Sequence, residues 1–136
     1  SFLMKAKGYI SSRPLNNGLV YEQSIQNLVI RNFCEKIGYA FLLSGTEYSM
    51  KKSYLTLNQI YKDIAKYQAI IFFSYEQLPN SNIFFKDFKK IINMKKKIFF
   101  ALENIEIQNE NNLNDLLDLI KINKVLKYSL TEIKSE

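Results

Sequence analysis

The chain has no histidine and no tryptophan, a single cysteine, four glycines and two prolines in 136 residues. Each shortage removes a class of chemistry. Without histidine there is no Ser-His-Asp triad, no Cys-His pair, no imidazole general base and no histidine-built metal site. Any catalysis falls to Ser, Tyr, Glu, Asp, Lys, Arg or Cys34. One cysteine cannot close a disulfide within the chain, which agrees with a reducing compartment. The glycines, at 8, 18, 38 and 45, are too scattered for a dinucleotide or P-loop phosphate turn, so nucleotide binding through a Gly-rich loop is not expected. No cofactor and no metal are expected. No apolar run approaches the roughly 18 residues of a membrane span, and the N-terminus lacks a basic-then-apolar leader. The expectation is a soluble, cytoplasmic protein without a membrane partner. There is also no linker-like stretch and no internal repeat, so residues 1–136 read as a single α/β domain.

What is present is a set of four apolar runs, Lys7–Ile10, Ala40–Leu43, Ala69–Phe73 and Ile98–Leu102, each ending in a polar cluster. The clusters are Ser11-Ser12-Arg13, Ser44-Gly45-Thr46-Glu47, Ser74-Tyr75-Glu76-Gln77 and Glu103-Asn104. Between the runs the spacing predicts helices. Glu22 to Lys36 carries Ile25, Leu28, Val29 and Phe33 on one face and stops at Gly38, and Ser53 is a candidate N-cap for a helix with Leu57, Ile60, Tyr61 and Ile64. Pro79 and Asn80 break the chain before a helix over Asn82 to Asn93. Asn109 to Asn112 reads as loop, Leu113 to Ile120 as helix, and Val125 to Leu130 as an edge strand or a final helix. Strands alternating with helices at these spacings predict a three-layer α/β/α domain of the flavodoxin-like or Rossmann-like kind. Its mainly parallel sheet has four or five strands in the order 2-1-3-4.

In that order the loops after strands one and three part company at a switch point, where open α/β sheets bind ligands. Ser11 to Arg13 then lie beside Ser74 to Glu76. Arginine is scarce in this chain, standing at only two of nineteen basic positions, Arg13 and Arg31. Where composition favours lysine so strongly, a retained guanidinium suggests a place that needs a planar, bidentate fork. Arg13 follows strand one directly and is the better candidate for an anion, whereas Arg31 sits on a helix where Glu35 one turn on offers an ion pair. Ser11 and Ser12 supply hydroxyls. Glu76, Glu103 and Glu47 are the acid or base candidates if desolvated. The plainer reading is that the serines satisfy strand ends and the acids cap helices. The net charge of +6 raises the prospect of a polyanion, but Lys86, Lys89, Lys90 and Lys95 to Lys97 read more simply as a solvated face.

Several of these segments resemble a known group. Gly8 to Pro14, Gln26 to Cys34, Leu42 to Met50, Tyr75 to Pro79 and Phe100 to Glu103 look like the bacterial "sporadic carbohydrate cluster" proteins over nearly the whole chain. The resemblance implies a setting among genes for surface polysaccharide and sugar-nucleotide biosynthesis, without an assigned reaction. It also implies that Arg13, Gln26, Arg31, Ser44, Glu47, Tyr48, Glu76 and Glu103 are the residues to test. A weaker likeness, of fold, is to the catalytic domain of serine recombinases. Here Ser11 and Arg13 stand where that family has its Arg and nucleophilic Ser, and Tyr75-Glu76-Gln77-Leu78-Pro79 replaces its arginine motif, so DNA strand exchange is not expected.

Three functions follow in order of preference. The first is an enzyme or accessory of a sugar pathway that binds a small phosphorylated or carboxylated sugar. Ser12, Glu76 and Glu103 are its catalytic candidates, and Ser11, Arg13, Gln26, Arg31, Ser44, Glu47 and Tyr48 its binding candidates. The second is a non-catalytic partner subunit of a pathway enzyme. The third is a recombinase-like nucleic-acid-binding domain, which requires the lysines above to form one stripe. A homodimer is a further expectation, with the aromatic helix Phe84 to Ile92 as its surface.

Overall fold

The computed structural model describes residues 3–48, 53–79 and 83–135. Ser49, Met50, Asn80 and Asn82, which the sequence reading used, lie outside them. Among the described residues five strands form one sheet: β1 (Lys5–Ser11), β2 (Ala40–Glu47), β3 (Ala69–Phe72), β4 (Lys97–Phe100) and β5 (Ile105–Ile107). Their order is β2-β1-β3-β4-β5. The first four are parallel, in the expected order, and β5 returns antiparallel beside β4. The helices are α1 (Gln23–Ile37), α2 (Leu55–Lys62), α3 (Ile83–Asn93) and α4 (Glu110–Ser135).

Right-handed crossovers decide which helix covers which face. The step from β1 to β2 moves one way along the sheet, and the steps from β2 to β3 and from β3 to β4 move the other way. Accordingly α1 packs Ile30, Phe33 and Cys34 against Ala6, Ile10, Ala69, Ile71 and Phe99 on one face. On the opposite face Tyr9, Ile70, Phe72, Ile98 and Phe100 meet Leu57 and Ile60 of α2, Phe84, Phe88, Ile91 and Ile92 of α3, and Leu113 and Leu116 of α4. Phe72 is central there, its ring 5.3 Å from Phe100, 5.5 Å from Tyr9 and 5.7 Å from Phe88. The result is a three-layer α/β/α arrangement whose switch point falls between β1 and β3.

Several boundaries differ from the sequence reading. β1 includes Ser11 and β2 continues through Ser44, Gly45, Thr46 and Glu47, so two of the polar clusters belong partly or wholly to strands. β4 stops at Phe100, and a turn over residues 101–104 leads into β5. In α1 the buried positions are Gln26, Ile30, Phe33 and Cys34, while Ile25 and Leu28 are exposed; the polar Gln26 disguised the true face. α2 is preceded by Tyr54, not Ser53, because its free amides are capped from β2, as described below. α4 begins inside the expected loop, where Asn109 Oδ1 accepts from the Asn112 amide at 2.9 Å and starts the helix. Val125 to Leu130 is part of α4. The aromatic face of α3, expected to serve as a dimer surface, packs into the core, with Phe84, Phe88, Ile91 and Ile92 all buried and Ile83 exposed.

One local irregularity shapes β2. Its register with β1 holds to Lys7 opposite Leu42 and resumes at Tyr9 opposite Gly45, so Leu43 and Ser44 together face Gly8, a β-bulge. Gly8 makes room for it, since a Cβ at this position would stand 2.3 Å from Ser44 Oγ. Gly8→Ala is therefore expected to destabilise the protein by about 2 kcal/mol through overpacking. Adding Ser44→Gly should recover most of that loss in urea unfolding. Equal midpoints for the single and double variants would show that the clash is not what matters.

Candidate functional site

The carboxyl end of β1 is held by one buried amide. Gln26 reaches from α1 to pair with Ser11 on both sides, its Oε1 accepting from the Ser11 amide at 3.0 Å and its Nε2 donating to the Ser11 carbonyl at 2.7 Å. The same amide donates to the Tyr21 carbonyl at 2.9 Å and accepts from Gln77 Nε2 at 2.9 Å. Gln26 thus fixes the strand end and the loops around it. Ser11 Oγ accepts from the Arg13 amide at 3.1 Å, and the Ser12 amide donates to the Glu47 carbonyl at 3.0 Å. The Ser12 hydroxyl reaches the same carbonyl at 3.4 Å.

On the β2 side of this end, Glu47 is buried and accepts three hydrogen bonds. Its Oε1 takes the Thr56 amide at 3.0 Å, and its Oε2 takes the Leu57 amide at 3.0 Å and Tyr9 Oη at 3.1 Å. A strand carboxylate thereby caps α2, satisfying two amides of its first turn and countering its dipole. Burial pushes the Tyr9 phenol far above its ordinary range, and the Glu47 charge adds to that while Arg13 opposes it. The Arg13 guanidinium lies 4.2 Å from the centroid of the Tyr54 ring and donates to the Ser53 carbonyl at 2.9 Å and to Tyr9 Oη at 3.4 Å. Arg13 is turned toward α2.

On the other side of β1, the strand order brings the β3 and β4 ends together. Ser74 Oγ donates to Glu103 Oε2 at 2.6 Å, and the Tyr75 amide donates to Glu103 Oε1 at 3.2 Å. Burial raises the Glu103 carboxyl above its ordinary 4.5, these two hydrogen bonds pull it back down, and the nearby Glu76 charge raises it. A carboxyl that holds its proton more tightly folded than unfolded loses stability as pH rises through its range. Glu103→Gln is expected to flatten that part of the pH dependence, read as urea midpoints from about pH 4 to about pH 7. Identical profiles for the two proteins would refute it.

A cavity of about 680 Å³, lined by described residues, opens at the switch point. The β1 loop supplies Asn16 and Asn17, the β3 loop Tyr75, Glu76, Leu78 and Pro79, α3 supplies Phe84, and α4 forms the remaining wall from Leu117 to Lys127. Asn16 bridges the two loops, its amide donating to the Glu76 carbonyl at 2.8 Å and its Nδ2 to the Leu78 carbonyl at 2.9 Å. α4 is tied across the opening, Asn123 Nδ2 donating to Tyr75 Oη and Lys127 Nζ to the Asn16 carbonyl at 2.8 Å. Lys121 and Lys124 stand in the same wall, and Glu76 is the one carboxylate in the lining.

The structure therefore brings some of the expected residues together and separates others. Glu76 lines the cavity; Arg13 does not, and the basic residues in the lining are lysines of α4. These were missed because the sequence reading ended that helix at Ile120. Glu103 accepts from Ser74 Oγ and from the Tyr75 amide, and neither Ser74 nor Glu103 is in the cavity lining. Arg31 lies away from both groups, 5.8 Å from the Phe41 ring centroid on β2, and no Glu35 ion pair to it is found among the described residues. Tyr48 is exposed beyond β2, and Ser44 Oγ is enclosed at the bulge without a hydrogen-bond partner among the described residues. Cys34, on the inner face of α1, is buried, its thiol pushed up to about 11 by burial, which makes it a poor nucleophile. Of the lysines that would form a nucleic-acid stripe, Lys89 pairs with Glu110 at 3.0 Å, Lys97 pairs with Glu106 at 2.8 Å, and Lys96 donates to the Tyr67 carbonyl. Among the described residues no cluster of three or more metal-ligating side chains is found, and no helix is long and apolar enough to cross a membrane. No protein-family model matches the sequence, and no curated protein matches it.

Proposed function

We propose that the chain binds a small anionic sugar, phosphorylated or carboxylated, in the switch-point cavity. The observation that carries this reading is the composition of one open cavity: Lys121 and Lys124 on the α4 wall, with Glu76, Asn16 and Asn17 in the same lining. Lysines attract the anion, while a carboxylate and two amides accept and donate hydrogen bonds to hydroxyls. The volume lies within the ~300–1,000 Å³ common to small-ligand sites, and the place is the one at which open α/β sheets bind ligands. The resemblance to carbohydrate-cluster proteins supports a sugar and a cytoplasmic pathway for bacterial surface polysaccharide. Glu76 is the group placed to exchange a proton with a bound hydroxyl. Arg13 organises the β1 end and the approach to α2.

The test is a thermal-shift titration with glucose 1-phosphate and glucuronate on the wild type, Lys124→Glu and Arg13→Ala. A ligand at a hundredfold excess over its dissociation constant stabilises by about 2.7 kcal/mol. The shift should vanish in Lys124→Glu and persist in Arg13→Ala. Loss in Arg13→Ala alone would move the anion to the other side of β1, and no shift with either ligand would reject the sugar.

A second reading, a partner subunit or a homodimer, draws on α4 beyond Ile120. There Ile122, Val125 and Tyr128 remain exposed, an apolar surface on the distal half of the helix. Sedimentation of the wild type against Ile122→Asp/Val125→Asp tests self-association directly; a monomer in both cases removes the homodimer.

A further inference from the structure

Another cavity, of about 470 Å³, lies between α2 and the two strands at the β2 margin of the sheet. Its cause is a mismatch of lengths. α2 has eight residues, about 12 Å of helix, whereas the eight residues of β2 extend over about 26 Å. Gly45 lets the helix close on the strand, since a Cβ there would stand 2.8 Å from Thr56 Cγ2 and 3.0 Å from Ile60 Cδ1. Toward the amino ends of the strands the helix gives out, and there Lys7 and Leu42, partners in register, line the gap with Gln59, Asp63 and Lys66. Lys7 is out of place in such a setting. β1 lies inside the sheet, and the neighbours of Lys7 across it are Leu42 and Ile70, where parallel sheets carry apolar side chains. Lys7 is half-buried, and among the described residues no hydrogen bond or ion pair meets its ammonium.

We infer that this cavity is a second binding site, for a small amphipathic monocarboxylate whose charge meets Lys7 and whose alkyl chain lies over Leu42 toward Leu55. It shares no lining residue with the switch-point cavity. The charge follows from the lining. Asp63 is already held by Lys66 at 3.6 Å and by Gln59 Nε2 at 3.3 Å, so two lysines and one aspartate leave one net positive charge, at Lys7. A cation drawn partly out of water without a partner is costly, and a bound anion offsets that cost. A monoanion matches it, whereas the second charge of a phosphate would face Asp63. The alkyl chain follows from the surface that stays open. Leu42 is only partly buried and Leu55 is 74% exposed, so both keep apolar area that a ligand can cover.

Calorimetric titration of the full chain with octanoate, acetate, 1-octanol and octyl phosphate tests the site. Octanoate should bind at least about tenfold more tightly than acetate, which lacks the chain, and than 1-octanol, which lacks the charge. Lys7→Met keeps the unbranched stem and removes the ammonium. It should weaken octanoate at least about tenfold and raise the urea midpoint, because an unpaired, half-buried charge is gone. A lowered midpoint would show that the ammonium already has a partner and would overturn the site, as would full octanoate affinity in this variant. Octanol or acetate binding as tightly as octanoate, or octyl phosphate binding more tightly, would overturn the monocarboxylate. Octanoate binding lost in Lys124→Glu and kept in Lys7→Met would move the carboxylate to the switch-point cavity. No binding of octanoate would reject the second site and leave the sugar reading to its own titration.

Discussion

Replacing Glu47 with alanine is expected to destabilise the protein by about 4 kcal/mol, the largest effect of any single polar substitution proposed for it. Three donors converge on that carboxylate, Tyr9 Oη and the amides of Thr56 and Leu57, in surroundings that leave Glu47 itself only 3% exposed. A buried donor stripped of its acceptor costs about 1–3 kcal/mol, and the loss of a helix cap about 1 kcal/mol. The terms overlap, so their full sum is not expected. Glu47→Gln keeps the shape and one acceptor oxygen and should lose about half as much. Urea unfolding measures both, and a change below about 1 kcal/mol in the alanine variant would show that α2 finds another cap. The damage should also reach Arg13, which leans on the same Tyr9 hydroxyl.

Gln26→Leu comes next, at about 3 kcal/mol. Leucine has nearly the volume of glutamine and none of its polar atoms, so it leaves the Ser11 amide and carbonyl, the Tyr21 carbonyl and Gln77 Nε2 without their partner. Each is a modest loss, and water reaching the β1 loop would soften the total. The distinguishing signature is local: the Ser11 amide, buried and bonded to Gln26 in the wild type, should in the variant exchange at a rate that does not track global unfolding. Unchanged protection there would mean that Gln26 fills space without fixing the strand.

These two side chains also show where sequence reasoning succeeds and where it stops. The four parallel strands and their order were legible because uninterrupted apolar runs such as Ala69–Phe72 mark strands covered on both faces, and crossover handedness does the rest. β5 was not, since Ile105-Glu106-Ile107 is too short to carry a period. Glu47, read from a strand end, and Gln26, given by the resemblance, were expected to bind a ligand; a buried amide and a capping carboxylate look the same in sequence as ligand-binding ones. Their partners, at Ser11, Thr56 and Leu57, are set by the tertiary fold. The aim of Arg13 depends on Tyr54, forty-one positions away. The wall of α4 was lost for another reason. Beyond Ile120 the apolar residues Ile122 and Val125 are exposed and the side chains meeting the domain are Asn123 and Lys127, so the amphipathic pattern that marks a packed helix breaks off there.

The bulge at Leu43–Ser44 has a consequence for molecules at high concentration. β2 is eight residues long and ends the sheet, so its outer amides and carbonyls offer a template on which a neighbouring chain could add as the next strand. Two residues opposite one bend such a margin and break its repeat. The space left by the missing side chain of Gly8 makes room for that bulge, and a bulged edge is a poorer template for an added strand.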